Sequence, residues 1–198
     1  MGGAAEVAES VGRGGLRRLV LTAADGARAE VYRHGAHVTS WVPAGGDERL
    51  FVSAHSEFRA GAAIRGGVPV IFPQFGPGAL PRHGFARTAD WEVVDAGVGE
   101  GGTARARLLL RDDAATRAVW PAAFTAELTV EVGGPSLAIS LGVHNRGARP
   151  LAFTAALHSY LRVSDLAAAA VEGLRGARYR DQAAGGREAV DDAPALGF

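Results

Sequence analysis

A chain of 198 residues, 47% of them apolar, suits a single domain with a substantial core. Its 21 basic and 21 acidic residues balance, which argues against a nucleic-acid or membrane-surface partner but leaves room for a local basic pocket. The lack of cysteine excludes a disulfide framework and thiolate chemistry, and no apolar run approaches the ~20 residues of a membrane span.

The first fifteen residues, MGGAAEVAESVGRGG, are small and polar and lack the apolar stretch of a secretory signal. Their glutamates and scarce serines speak against a transit segment, so residues 1–15 are expected to be a disordered tail and residues 16–198 the folded domain. Alanine is used so heavily throughout that alanine-rich stretches do not signal helix. Short strand candidates then follow one another: RLVLT (18–22), AEVYR (29–33), HVTSWV (37–42) and RLFVS (49–53), with turn material such as ADGA between. Further along come DWEVVD (90–95), ARARLLLR (104–111), TAELTVEV (125–132) and SLAISLGVHN (136–145). Leu128, Val130 and Val132 share one face with Thr129 and Glu131 opposite; Leu137, Ile139, Leu141 and Val143 share another with Ser140 and His144 opposite. The GGP at 133–135 joins these two into an antiparallel hairpin. Repeated short antiparallel strands predict an all-β sandwich. DDAATRAVWP (112–121) is the one helix candidate, a turn or two ended by Pro121. REAVDDAPALGF stops in apolar residues straight after a turn-like DDAP, and reads as a chain cut short of its next strand.

The histidines are the natural starting points for chemistry. His34 and His37 in HGAH are three apart, which places their rings on different faces of a strand or turn, and no carboxylate cluster completes a metal site; both are expected to be structural. His55 and His144 have no evident partner. In LAFTAALHSYLRVSD, period two puts Phe153, Ala155, Leu157, Leu161 and Val163 on one face and Thr154, Ala156, His158, Tyr160 and Arg162 on the other. That polar row is either a solvated strand surface or a preorganised site in which His158 works as acid or base.

The run IRGGVPVIFPQFGPGALPRHGFAR (64–87) has a strand's apolar centre, Val70-Ile71-Phe72, yet is broken by Pro69, Pro73 and Pro77 and by glycines. It carries Arg65, Gln74, Arg82, His83 and Arg87. Guanidinium groups suit bidentate binding of phosphate or carboxylate, and glycine-rich turns expose backbone N–H groups to anions. No Gly-Lys-Ser/Thr or GxGxxG pattern is present. The alternatives are an anion- or sugar-binding pocket and a rigid loop whose arginines pair with acidic neighbours.

This run resembles the signature of hexose-6-phosphate mutarotases (glucose-6-phosphate 1-epimerases) of the aldose-1-epimerase superfamily. The likeness continues through DWEV, WPAAFTAELTVEV, HNRG, LHSYLRVSD and VEGLRGARYRD, from residue 17 to the end. It implies an antiparallel β-sandwich of the galactose-mutarotase-like type, incomplete at the C-terminus, and interconversion of hexose 6-phosphate anomers without metal or organic cofactor. One group protonates the ring oxygen while another takes the C1 hydroxyl proton, and the ring opens, rotates about C1–C2 and closes on the other face.

Carried over by residue, the resemblance makes His158 the catalytic acid and Arg65 and Arg87 substrate-binding residues. It makes Arg82 a binding residue where many relatives have Gln, and His83 an orienting group; Gln74 is a further binding candidate. The family's catalytic glutamate and a binding aspartate fall on positions beyond Phe198, and Glu172, Glu188, Asp191 and Asp192 do not match them. The implied protein is a cytoplasmic monomer acting on a small sugar phosphate, with a plastid location left open and no nucleic-acid or membrane partner. The alternative is a non-catalytic phosphosugar-binding relative that lacks the base.

Overall fold

Alternation of apolar and polar residues sets most strands of the chain, and glycine turns set where they reverse. The computed structural model describes residues 3–181 and 184–197, which divide into a large unit ending at Arg162 and a small one beginning at Val163.

In the large unit, β1 (Glu6–Val11), β2 (Arg17–Thr22), β3 (Arg28–Tyr32) and β4 (His37–Val42) form one antiparallel sheet in chain order. A second sheet holds β6 (Glu92–Val98), β7 (Ala104–Arg111), β8 (Phe124–Gly133) and β9 (Ser136–Asn145), again antiparallel and in chain order. Between the two sheets in sequence lies the short β5 (Val70–Ile71), which pairs with β10 (Ala156–Leu157). The helix candidate forms a single short α1 (Ala114–Val119), its N-terminus capped by Asp113. No helix among the described residues is long and apolar enough to cross a membrane.

The two four-stranded sheets share one core. Leu19 and Leu21 of β2 and Ala29 and Val31 of β3 meet the inward rows of β7 (Ala104, Ala106, Leu108) and β8 (Phe124, Ala126, Leu128, Val130, Val132), all buried. Small alanines alternate with large side chains across the interface, so the faces interdigitate. Each fully buried Leu, Val or Phe contributes about 1.5–3 kcal/mol, so these rows set the register. The expected hairpin is present: Gly133 pairs with Ser136 and Gly134 takes φ +56°, at the position where a mirror-image two-residue turn requires glycine.

The structure overturns two expectations. Residues 6–11 are not a disordered tail: they form β1, paired with β2 from Glu6–Thr22 to Val11–Arg17. The glycines taken for a tail are its turn, in which Gly14 at φ +65° leaves no room for a Cβ against the Phe58 carbonyl. Val7 then packs on the core, and Glu9 pairs with Arg17 at 2.8 Å. RLFVS (49–53) is not a regular strand either, because its backbone bonds alternate between partners. Phe51 N–H donates to the Tyr160 carbonyl at 2.9 Å, while the Phe51 carbonyl accepts from Gly67 N–H at 2.7 Å.

The small unit contains two short antiparallel pairs, β11 (Ala170–Glu172) with β14 (Ala195–Gly197) and, between them in the chain, β12 (Arg178–Asp181) with β13 (Arg187–Val190). None of its described residues is buried.

Candidate active site

The site is built on a ladder that prolines interrupt without displacing. Thr154 N–H donates to the Pro73 carbonyl at 3.0 Å, His158 N–H to Pro69 at 3.1 Å and Tyr160 N–H to Gly67 at 2.8 Å, while Ala156 pairs with Ile71. All four pairs keep one register, so 67–73 and 154–160 run side by side as antiparallel strands. Pro69 and Pro73 accept but cannot donate, and only the two-residue β5 and β10 between them form a regular pair. Directly opposed residues point to one face. Pro69, Ile71, His158 and Tyr160 therefore line one cavity, while Val70, Phe72 and Leu157 turn to the core. His158 and Tyr160 of the predicted polar row are thus part of a site wall.

Arg65 reaches this wall from the RGG turn. Its N–H donates to Ser56 Oγ at 2.8 Å and its carbonyl accepts from Ser53 N–H at 2.9 Å. Gly66 (φ +104°) and Gly67 (φ +61°) lie so close to the backbone that an added Cβ would sit 2.2 Å from the carbonyl oxygens of Phe51 and Val38. His34 Nε2 and His37 Nε2 lie 2.6 Å and 2.7 Å from the Ala62 and Gly66 carbonyls, clasping the loop that carries Arg65. Burial holds the His37 pKa down at about 4, so it is a neutral donor. Both histidines are structural, and no three His, Cys, Asp or Glu side chains gather as a metal-ligand set among the described residues.

The opposite side is the 74–88 loop. The Phe72 carbonyl accepts from both Phe85 N–H and Ala86 N–H at 3.1 Å, and Gly84 (φ +63°) approaches it so closely that a Cβ would lie 2.2 Å away. His83 itself has φ +70°, a left-handed conformation uncommon for a residue with a Cβ, and its Nδ1 accepts from Gly76 N–H at 3.2 Å. Arg87 stands on a short 3-10 turn (Ala86–Thr88) anchored by buried Trp91, whose indole N–H donates to the Ala86 carbonyl at 3.0 Å.

Arg65, Arg82, His83, Arg87 and His158 thus converge on one cavity of about 400 Å³, with Tyr160, Pro69 and Ile71 completing its walls. That volume suits a small ligand. A larger groove of about 640 Å³, from Trp120 to Ala152, has Arg149 as its sole charged lining residue and offers little chemistry. Gln74 departs from expectation. Its amide donates to the Gly76 and Leu80 carbonyls at 3.2 Å and 2.9 Å and accepts from Leu80 N–H at 3.0 Å, so it braces the loop and does not line the cavity. Tyr160, two residues on from His158 in the polar row, is a lining residue to which the sequence pattern assigns no role.

The electrostatics are one-sided. No Asp or Glu lines the cavity, and Arg65, Arg82 and Arg87 make no ion pair among the described residues. The alternative in which these arginines pair with acidic neighbours is therefore not what the structure shows. Burial, Arg87, Arg82, His158 and Arg65 all lower the His83 pKa, which keeps its imidazole neutral with Nδ1 as acceptor. Burial and the nearby Arg65 charge lower the Arg87 pKa, though a guanidinium remains charged in any case. His158 Nδ1 is buried without a hydrogen-bond partner among the described residues. Three guanidinium groups without ion-pair partners beside two imidazoles suit an anionic ligand and offer acid–base groups next to it.

The aldose 1-epimerase family profile matches residues 17–194. The chain belongs to the aldose 1-epimerase family. Among curated family relatives, a candidate glucose-6-phosphate 1-epimerase of Cenchrus ciliaris is 39% identical over 176 residues, covering 84% of this chain and 53% of the relative. One of Escherichia coli K12 is 39% identical over 166 residues, covering 82% and 54% respectively. The chain thus spans about half the length of the curated relatives it matches. Among solved structures, a candidate mutarotase of Salmonella typhimurium superposes with a TM-score of 0.87 at 33% identity, over 98% of this chain and 63% of that one. The Slr1438 protein of Synechocystis sp. PCC 6803 superposes with a TM-score of 0.75 at 27% identity, over 86% and 62%. The antiparallel β-sandwich expected from the strand pattern, of the galactose-mutarotase-like type that the resemblance implied, is the fold observed.

Proposed function

We propose that the site interconverts the α and β anomers of a hexose 6-phosphate, as a glucose-6-phosphate 1-epimerase does. The observation that carries this is the convergence of three unpaired guanidinium groups with His158 and His83 on one small cavity. Arg65, Arg82 and Arg87 hold the phosphate through charge-assisted hydrogen bonds. With the phosphate fixed, the sugar ring lies against the wall of residues 158 and 160. His158 gives a proton to the ring oxygen as C1–O5 breaks and the C1 hydroxyl proton passes to solvent water; both transfers reverse when the ring closes on the other face. His83, neutral and fixed through Nδ1, orients a sugar hydroxyl with its Nε2–H. No metal or organic cofactor takes part in this scheme.

A second reading has its own support. The cavity lining contains no carboxylate to take the C1 hydroxyl proton. A phosphosugar-binding protein would need the arginines and not the base, and loss of a general base commonly costs about 10²–10⁴-fold in rate.

Magnetisation-transfer NMR of glucose 6-phosphate, with this chain and with His158→Ala, separates the two. Exchange faster than the spontaneous rate, and returned to it by His158→Ala, is expected of the epimerase. Unaccelerated exchange from a folded chain that binds the sugar phosphate would overturn epimerisation by this chain and leave the binding reading.

A further inference from the structure

Four rings form a continuous row, in which Phe75 joins three rings that line the cavity, His83, His158 and Tyr160. The centroids of His83 and Phe75 lie 5.5 Å apart, those of Phe75 and His158 6.4 Å, and those of His158 and Tyr160 4.9 Å. Phe75 is the odd member. It has no polar atom, it is 49% exposed, and it stands beside a cavity lined by guanidinium and imidazole groups.

Single exposed apolar side chains are common and need no explanation when they sit on loose loops. This one is fixed from both strands of the site. Phe75 N–H donates to Thr154 Oγ1 at 2.8 Å, Gln74 braces the loop on its near side, and Gly76 N–H is held by His83 Nδ1. The ring lies within 30° of parallel to His158. The loop therefore spends its hydrogen bonds on holding a phenyl ring half in water next to the proposed acid.

A guanidinium cluster grips a phosphate whatever group is esterified to it. Preference for a sugar must come from contacts to the body of the sugar, and a pyranose presents an apolar face of C–H bonds between its hydroxyls. A rigid, half-exposed aromatic ring is the partner such a face can desolvate against. We propose that Phe75 is the platform for the C–H face of the sugar ring. It, and not the arginines, makes the site prefer a cyclic hexose phosphate to free phosphate. This rests on the sugar-phosphate reading above and names the residue that sets its specificity.

Calorimetric titration of the wild-type chain, Phe75→Ala and Phe75→Trp with glucose 6-phosphate and with inorganic phosphate tests it. Phe75→Ala is expected to lose roughly 3- to 10-fold in affinity for glucose 6-phosphate, the span of an aromatic contact, with phosphate affinity unchanged. Phe75→Trp should restore the sugar phosphate affinity. Equal losses for both ligands would overturn the proposal by making Phe75 a prop for the arginine loop, and no loss for either would overturn it outright. A wild-type chain that binds phosphate but not glucose 6-phosphate more tightly would also overturn it, leaving an anion site. If the wild-type chain binds neither ligand, the sugar-phosphate reading fails and this proposal with it.

Discussion

His158 and Pro69 face each other across an open ladder: the histidine N–H donates to the proline carbonyl at 3.1 Å, and the proline has no N–H to return. The pair explains a segment that looks too proline-rich for a strand. Pro69 and Pro73 keep the register of residues 67–73 while removing donors, so the strand can lie beside 154–160 and still break into turns that carry arginines on both sides. The outcome is one imidazole set on a stiff backbone beneath a ring of positive charge.

The arginines should prove to be functional and not structural. Arg87 makes one long hydrogen bond, to the Arg82 carbonyl at 3.3 Å, and stands close enough to Arg65 to be disfavoured by its charge. Arg87→Gln is expected to weaken glucose 6-phosphate binding by about tenfold or more, the scale of a charge-assisted hydrogen bond. The thermal midpoint should stay level or rise. A midpoint several degrees lower would show that the guanidinium supports the fold.

The RGG turn should tolerate no side chain at its last position. Gly67 combines φ +61° with a carbonyl 2.2 Å from any Cβ. Gly67→Ala is expected to destabilise by about 2 kcal/mol or more in urea unfolding. Gly61 provides the control, since its φ is +77° but nothing lies within 4 Å of the added carbon. Gly61→Ala should cost only the backbone term of ~1 kcal/mol. Similar losses at both positions would rule out the close approach as the cause.

His37 should make stability depend on pH in a defined window. Its pKa is about 4 in the folded chain against an ordinary value of 6.5, so the unfolded chain binds the extra proton first. The contribution of neutral His37 is complete above pH 6.5, is lost as pH falls from there to about 4, and changes no further below. The linked loss is ~3 kcal/mol at most. Urea unfolding of the wild-type chain and His37→Gln between pH 4 and 7.5 should show a shallower acid slope in the variant. Parallel slopes would mean that the imidazole does not titrate with unfolding.

The sequence alone determined the antiparallel strands with long alternating runs, because period two writes the buried face directly: Leu128, Val130 and Val132 point inward as read. It also marked His158 and the arginine-rich run, because residue type and local spacing carry that information. It misread 6–11 as a tail, since a glycine-rich turn and a disordered end look alike until the partner strand is seen. It placed Gln74 among the ligand-binding groups because sequence does not say which way a loop amide turns, and the loop's own N–H and carbonyl groups claimed it. Only the tertiary structure decided that Arg65, from one side of the ladder, and Arg82 and Arg87, from the other, share one cavity with His158. The distance between charges separated by some twenty residues rich in glycine and proline is set by carbonyl contacts at Gly66, Gly67 and Gly84, and those contacts exist only once the chain has folded.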